Sequence, residues 1–201
     1  TFADLGCILS NKNIQDSVNN YLQYLGQGDR KSAIIYYGDM KYWDTSEVTY
    51  MNNLFSNHNY YNSLKGSSKG YYLKGVQNFN EDISGWDTTK VTDLSSMFYG
   101  DYNAGVYAKS FNQPLDNWNV SNVNNMNYMF QNANKFNQLF NNWNVSNVIY
   151  MSNMFDTATN FNQSLNKWNV LNVTDMSLMF SVASNFNQPL DNWNVSKANY
   201  M

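Results

Sequence analysis

Residues 111–135 read F-N-Q-P-L-D-N-W-N-V-S-N-V-N-N-M-N-Y-M-F-Q-N-A-N-K. The order returns at 136–160 as F-N-Q-L-F-N-N-W-N-V-S-N-V-I-Y-M-S-N-M-F-D-T-A-T-N, and at 161–185 as F-N-Q-S-L-N-K-W-N-V-L-N-V-T-D-M-S-L-M-F-S-V-A-S-N. Trp118, Trp143, Trp168 and Trp193 thus recur every 25 residues, and Trp86 and Trp43 precede them at gaps of 32 and 43. A fixed period of this size marks units that stack on their neighbours, so the chain is expected to form a solenoid. The six tryptophans are expected to lie in its core.

The other repeated positions suggest the form of one unit. Trp118 and Val120 alternate as in a short extended segment. Ser121 stands where a helix N-cap is wanted, as do Ser46, Thr89, Ser146 and Ser196. Val123, Met126, Met129, Phe130 and Ala133 then follow at spacings of three and four, which predicts an amphipathic helix. The fold class expected is therefore α/β, with short parallel strands on one side, helices on the other and a helical N-terminal cap. Residues 1–38 form that cap and 39–201 the six copies. The cap has an apolar stripe of Ile14, Val18, Tyr21, Leu22 and Leu25, with Ser10 or Asn11 at its start and Gly26 at its end. A second helix runs from about Asp29 to Tyr37.

Composition narrows the function. Charged residues make up 13% of the chain and the net charge is −3, with no Lys/Arg run, so nucleic acid is not an expected partner. No apolar stretch approaches the roughly 20 residues of a membrane-spanning helix. Cys7 is alone, which excludes an intrachain disulfide framework; it reads as a small buried residue. All ten methionines sit at repeat positions, so packing accounts for them in preference to a metal. The 37 asparagines read first as turn caps and ladders along the stack, and second as a polar binding surface.

The stretch Phe111–Phe130 resembles the repeat of the BspA-like leucine-rich-repeat surface proteins. The lead-in from Asn13 to Leu22 (N-I-Q-D-S-V-N-N-Y-L) is similar to that family's helical start, and Gly38–Ser46 to its first repeat. The resemblance implies a leucine-rich-repeat-like solenoid and an extracellular or cell-surface interaction protein, or alternatively a protein of the virion surface. It carries over no catalytic residues.

The gaps of 43 and 32 place inserts near 57–77 and 100–110, both at the same edge of the stack. They are rich in Tyr, Ser, Gly and Asn, a mixture that suits binding loops. Tyr60, Tyr61, Tyr71, Tyr72, Tyr102 and Tyr107 are the candidate binding residues, and tolerated surface drift is the plainer alternative. The sixth copy stops at Met201 within its expected helix; either the natural chain continues, which is favoured, or the open face meets another subunit.

Catalysis is not expected. His58 is the only histidine and falls in an insert, far along the chain from Cys7, and no nucleophile–base pair, phosphate loop or metal-ligand spacing occurs. Glu81 and Asp82 replace the Gln-Pro of the ordinary repeat and read as solvated loop residues. The function expected is a non-catalytic surface or structural protein that mediates protein–protein interaction or adhesion, with no cofactor or metal. Its partner would be a protein or a neighbouring subunit. The alternatives are a glycan-binding module and a virion or capsid-associated component.

Overall fold

A computed structural model describes residues 8–56, 74–100 and 108–201. At the N-terminus β1 (Ile8–Ser10) leads into α1 (Ile14–Gln27) and α2 (Arg30–Tyr37). A single 3-10 turn (Met40–Tyr42) precedes β2 (Asp44–Glu47), which pairs in parallel with β1. Asn13 is the residue before α1, and Gly28, at φ 80°, ends it in the left-handed conformation that glycine adopts without steric cost. Gly26 is buried inside the helix. Asp29 caps α2 by accepting the Ser32 N–H, and Gly38 follows its last turn.

The strand–helix unit expected of the repeats does not form, and the α/β leucine-rich-repeat-like solenoid is corrected accordingly. Beyond residue 78 no described residue is helical, and β1 and β2 are the only strands among the described residues. The segment Met126–Ala133, read above as helix, is a run of overlapping turns. Met129, Gln131 and Ala133 donate to the carbonyls of Met126, Tyr128 and Phe130, three residues back in each case. The intervening N–H groups of Met126, Tyr128, Phe130 and Asn132 leave the copy altogether. They donate to the carbonyls of Tyr150, Ser152, Met154 and Asp156 in the next one, at 2.9 Å each. An α-helix needs every such N–H for its own i−4 carbonyl, so bonding between copies and helix formation exclude each other.

The backbone makes this possible by turning left-handed ten residues past each tryptophan. Asn53, Ser96, Tyr128, Asn153 and Leu178 have φ between 54° and 62°, as do Asn132, Thr157 and Val182, at 53° to 62°, four residues on. Copies are further tied by isolated parallel bridges linking Tyr50, Asp93, Asn125, Tyr150, Asp175 and Tyr200 in sequence. The expected strand at Trp118–Val120 does not form either: the segment runs between a turn closed by Trp118 N–H on Leu115 O and one closed by Val123 N–H on Val120 O. Ser121 caps no helix; Asn119 accepts its N–H, and the same side-chain turn recurs at Asp44, Asp87, Asn144, Asn169 and Asn194.

The periodic apolar residues still face inward, because the turns return them to one side as a helix would. Val123, Met126, Met129, Phe130 and Ala133 are all fully buried. Two columns of phenylalanine run through the core. Phe55, Phe98, Phe130, Phe155 and Phe180 form one, with successive rings 5.4 to 5.8 Å apart and within 9° of parallel. Phe79, Phe111, Phe136, Phe161 and Phe186 form the other, and the columns meet at 4.0 to 4.2 Å. Parallel rings separated by more than one backbone layer of about 4.8 Å are offset stacked, the arrangement the ring quadrupole favours.

Candidate functional site

Most of the repeated polar side chains hold one layer to the next, which leaves few of them free to face a ligand. Asn80, Asn112, Asn137 and Asn162 each accept, through Oδ1, the backbone N–H of the matching asparagine in the following copy, at 2.8 to 3.0 Å. Gln113, Gln138 and Gln163 add a bond from Nε2 to the same asparagines. Asn122, Asn147 and Asn172 form a second ladder by donating Nδ2 to the carbonyls of Thr89, Ser121 and Ser146. The F-N-Q and N-V-S-N elements of the sequence are therefore mainly structural.

The tryptophans form a third ladder. Trp43, Trp86, Trp118, Trp143 and Trp168 are 1 to 9% exposed, while Trp193 is only partly buried. Trp86 donates its indole N–H to Met40 O, Trp118 to Ile83 O, Trp143 to Leu115 O and Trp193 to Leu165 O, at 2.7 to 3.1 Å.

Glu81 and Asp82 do not behave as solvated loop residues. Glu81 takes a bidentate contact from the Arg30 guanidinium, 2.6 Å at its shortest, and its side chain is only 11% exposed. Asp82 pairs with Lys41 at 2.9 Å and accepts the Ser84 N–H. The Ser84 bond and then Lys41 hold the Asp82 carboxyl down at about 2. These two residues clamp α2 and the first copy to the second. Burial, with the nearby Glu81 carboxylate adding to it, pushes the Tyr21 phenol well above its ordinary value.

Tyr60, Tyr61, Tyr71, Tyr72, Tyr102 and Tyr107 lie outside the described residues, as do His58 and Cys7. The roots of the inserts are described. Ser56 ends copy 1 and is bonded to Asn53, while Gly100 ends copy 2 and donates to Gln131 O. The repeat resumes at Val76 and Ala108, both fully buried, so the inserts are shorter than their sequence boundaries suggested. Gly75 belongs to the body as well: a Cβ there would strike the Leu22 carbonyl of α1.

Close to both roots lies a cup of about 290 Å³ lined by Asn53, Ser96, Tyr99 and Tyr128: Asn53 is bonded to Ser56, and Tyr99 precedes Gly100. Tyr99 and Tyr128 meet edge to face, with centroids 6.2 Å apart and planes at 83°. Neither tyrosine was singled out from the sequence, although a signal existed. Ten residues past the tryptophan, the copies that do not carry Tyr128 have Asn, Ser, Asn and Leu; thirteen past it, those that do not carry Tyr99 have Ser, Gln, Asp and Ser. No group of three His, Cys, Asp or Glu side chains among the described residues is arranged to hold a metal, and no described helix is long and apolar enough to cross a membrane.

The molecule is thus a protein of stacked 25-residue repeats behind a helical N-terminus. It belongs to a family described as Mycoplasma protein of unknown function, DUF285, whose model matches residues 30–105, 67–143 and 102–201. No curated protein and no solved structure matches the chain.

Proposed function

We propose that this chain is a non-catalytic interaction scaffold, presented at the cell surface, that engages a protein partner along the edge carrying the two inserts. The observation behind this reading is the cup close to the insert roots. There the repeat departs from its own pattern and sets two tyrosines beside Asn53 and Ser96. Large amphipathic rings flanked by adaptable polar groups suit protein recognition. Surface presentation is supported by the likeness of Phe111–Phe130 to BspA-like surface proteins. The same pairing of aromatic and amide groups also suits a sugar ring, so a glycan is the second reading. The test compares the wild type with a Tyr99→Ser/Tyr128→Ser variant on a glycan array and against extracts of neighbouring cells. Binding that disappears in the variant while its circular dichroism is unchanged supports the proposal, and its target identifies the partner class. Binding that survives intact overturns it.

A further inference from the structure

The ladders described above tie amide side chains of the repeats from layer to layer, but two amides of the cap are not tied to anything. Asn20, Gln23, Tyr24 and Gln27 follow at spacings that set them on one face of α1, a different face from the buried stripe of Ile14, Val18, Tyr21 and Leu22. Asparagine is a poor helix former, and α1 holds two in succession. Asn19 is buried and accepts Gln15 Nε2 at 3.0 Å, which accounts for it. Among the described residues, the side-chain amides of Asn20 and Gln27 make no hydrogen bond.

With Tyr37, the last residue of α2, these four side chains line a hollow of about 270 Å³. Its aromatic wall is held in place. The Tyr24 ring stacks on Tyr36 with centroids 5.6 Å apart, and it meets Tyr37 at 6.3 Å with the planes tilted by 52°. The Tyr37 carbonyl accepts the Trp43 indole N–H at 2.8 Å, so the end of α2 is fixed to the tryptophan column.

The lining selects the ligand. All five side chains end in a neutral amide or phenol, and Asp16, the one charged residue of α1, lies outside the hollow. An ionic ligand would lose water there without gaining an opposite charge. A purely apolar one would cover amides that it cannot pair. Each carboxamide offers N–H donors and an accepting oxygen, a match for hydroxyls that both donate and accept. The negative face of an aromatic ring suits the C–H groups of a pyranose. A polypeptide segment would need a longer groove with places for alternate side chains.

We propose that this hollow binds a neutral pyranose, the terminal residue of a glycan, between the amides of Asn20 and Gln27 and the rings of Tyr24 and Tyr37. The site shares no residue with the Tyr99–Tyr128 cup and stands whether or not that cup binds.

The probes are the methyl glycosides of glucose, galactose, mannose, N-acetylglucosamine and N-acetylgalactosamine, titrated into the whole chain to about 50 mM, a range that covers weak single-site binding. At least one should shift the side-chain amide NMR signals of Asn20 and Gln27 saturably. Neither side chain belongs to the apolar core, and alanine raises helix propensity, so Asn20→Ala/Gln27→Ala should fold. That variant should bind the same sugar about tenfold more weakly, read from the Tyr24 ring signals. Tyr99→Ser/Tyr128→Ser should bind it as the wild type does; loss of binding there would place the sugar in the cup and overturn the proposal. No saturable shift with any of the five sugars, or equal affinity in the alanine variant, also overturns it. So does N-methylacetamide moving the same signals at lower concentration than every sugar, which would make the hollow a peptide site.

Discussion

Phe140 stands against Trp143 with ring centroids 4.2 Å apart and planes tilted by 46°, where the other copies place an aliphatic side chain three residues before the tryptophan. Its ring also reaches Trp168, at 5.7 Å. Trp168 is the one indole of the six whose buried N–H has no acceptor, and the Phe140 carbonyl holds the place that its equivalents use in the other copies. The bulk of one phenylalanine thus interrupts a ladder otherwise continuous from Trp43 to Trp193.

Phe140→Leu should restore that bond. The repaired bond is worth about 1 kcal/mol, and losing the ring costs a similar amount, so stability should shift by no more than about 1 kcal/mol. The discriminating measurement is exchange of the Trp168 indole proton by NMR. It should slow in Phe140→Leu, and Leu115→Phe should speed the same proton in Trp143. Unchanged exchange in both variants would refute the steric account.

Asn137 accepts the Asn162 N–H and also bonds Gln163 Nε2. Asn137→Ala should lower stability by about 0.5–1 kcal/mol, since these exposed bonds can be replaced in part by water. Asn137→Asp, which keeps the acceptor, should lose less. Urea midpoints at constant m-value would report this.

Gly85 occupies a position filled by Asn or Lys in the later copies, yet a Cβ there would collide with the Lys41 carbonyl. Gly85→Ala should therefore cost about 1–3 kcal/mol through forced displacement. The damage should be confined to the N-terminal copies, seen as faster amide exchange near Trp43 and Trp86.

Val182, β-branched and at φ 53°, sits in the region such residues most avoid, and Asn132 fills the same place two copies earlier. Val182→Asn should raise stability by about 1 kcal/mol, since asparagine tolerates the left-handed conformation. A fall in Tm would argue against strain at this site.

The Asp82 carboxyl is held at about 2, below its ordinary 3.8. A carboxyl whose folded pKa is depressed contributes its stabilisation above the unfolded value, and that contribution fades as pH falls through the folded one. The clamp on the first copy should therefore weaken between pH about 4 and about 2. Asp82→Asn should flatten this part of the pH–stability curve. Because Asp82 and Lys41 are both about a third or more exposed, salt should reduce the effect.

The phase of the repeat and its inward-facing residues, such as Trp118, Val123, Met126 and Phe130, were legible in the sequence, because burial imposes one apolar period on every layer. The backbone path was not legible. Val123, Met126, Met129, Phe130 and Ala133 have the spacing of a helical face, but overlapping turns return side chains inward at the same intervals. Asn53, Asn132 and Asn153 suit the left-handed conformation, but Tyr128, Leu178 and Val182 at the equivalent places in other copies are poor residues for it and mask the signal. What decides the outcome is the neighbouring copy, which offers carbonyls to alternate N–H groups, and no single repeat contains that information. The indole acceptors and the Asn80–Asn187 ladder are equally properties of pairs of copies. The tyrosines at the cup were visible only as departures from the local consensus, a comparison that the search for long inserts passed over.

The clamps at Arg30–Glu81 and Lys41–Asp82 have a mechanical consequence. They stitch the cap to the second copy across the first, so the beginning of the molecule opens as one block or not at all. Among the described residues no ion pair joins the later copies in this way. The joint works like a rivet through three plates: heat or force should part the layers elsewhere before the block from Arg30 to Trp86 gives way.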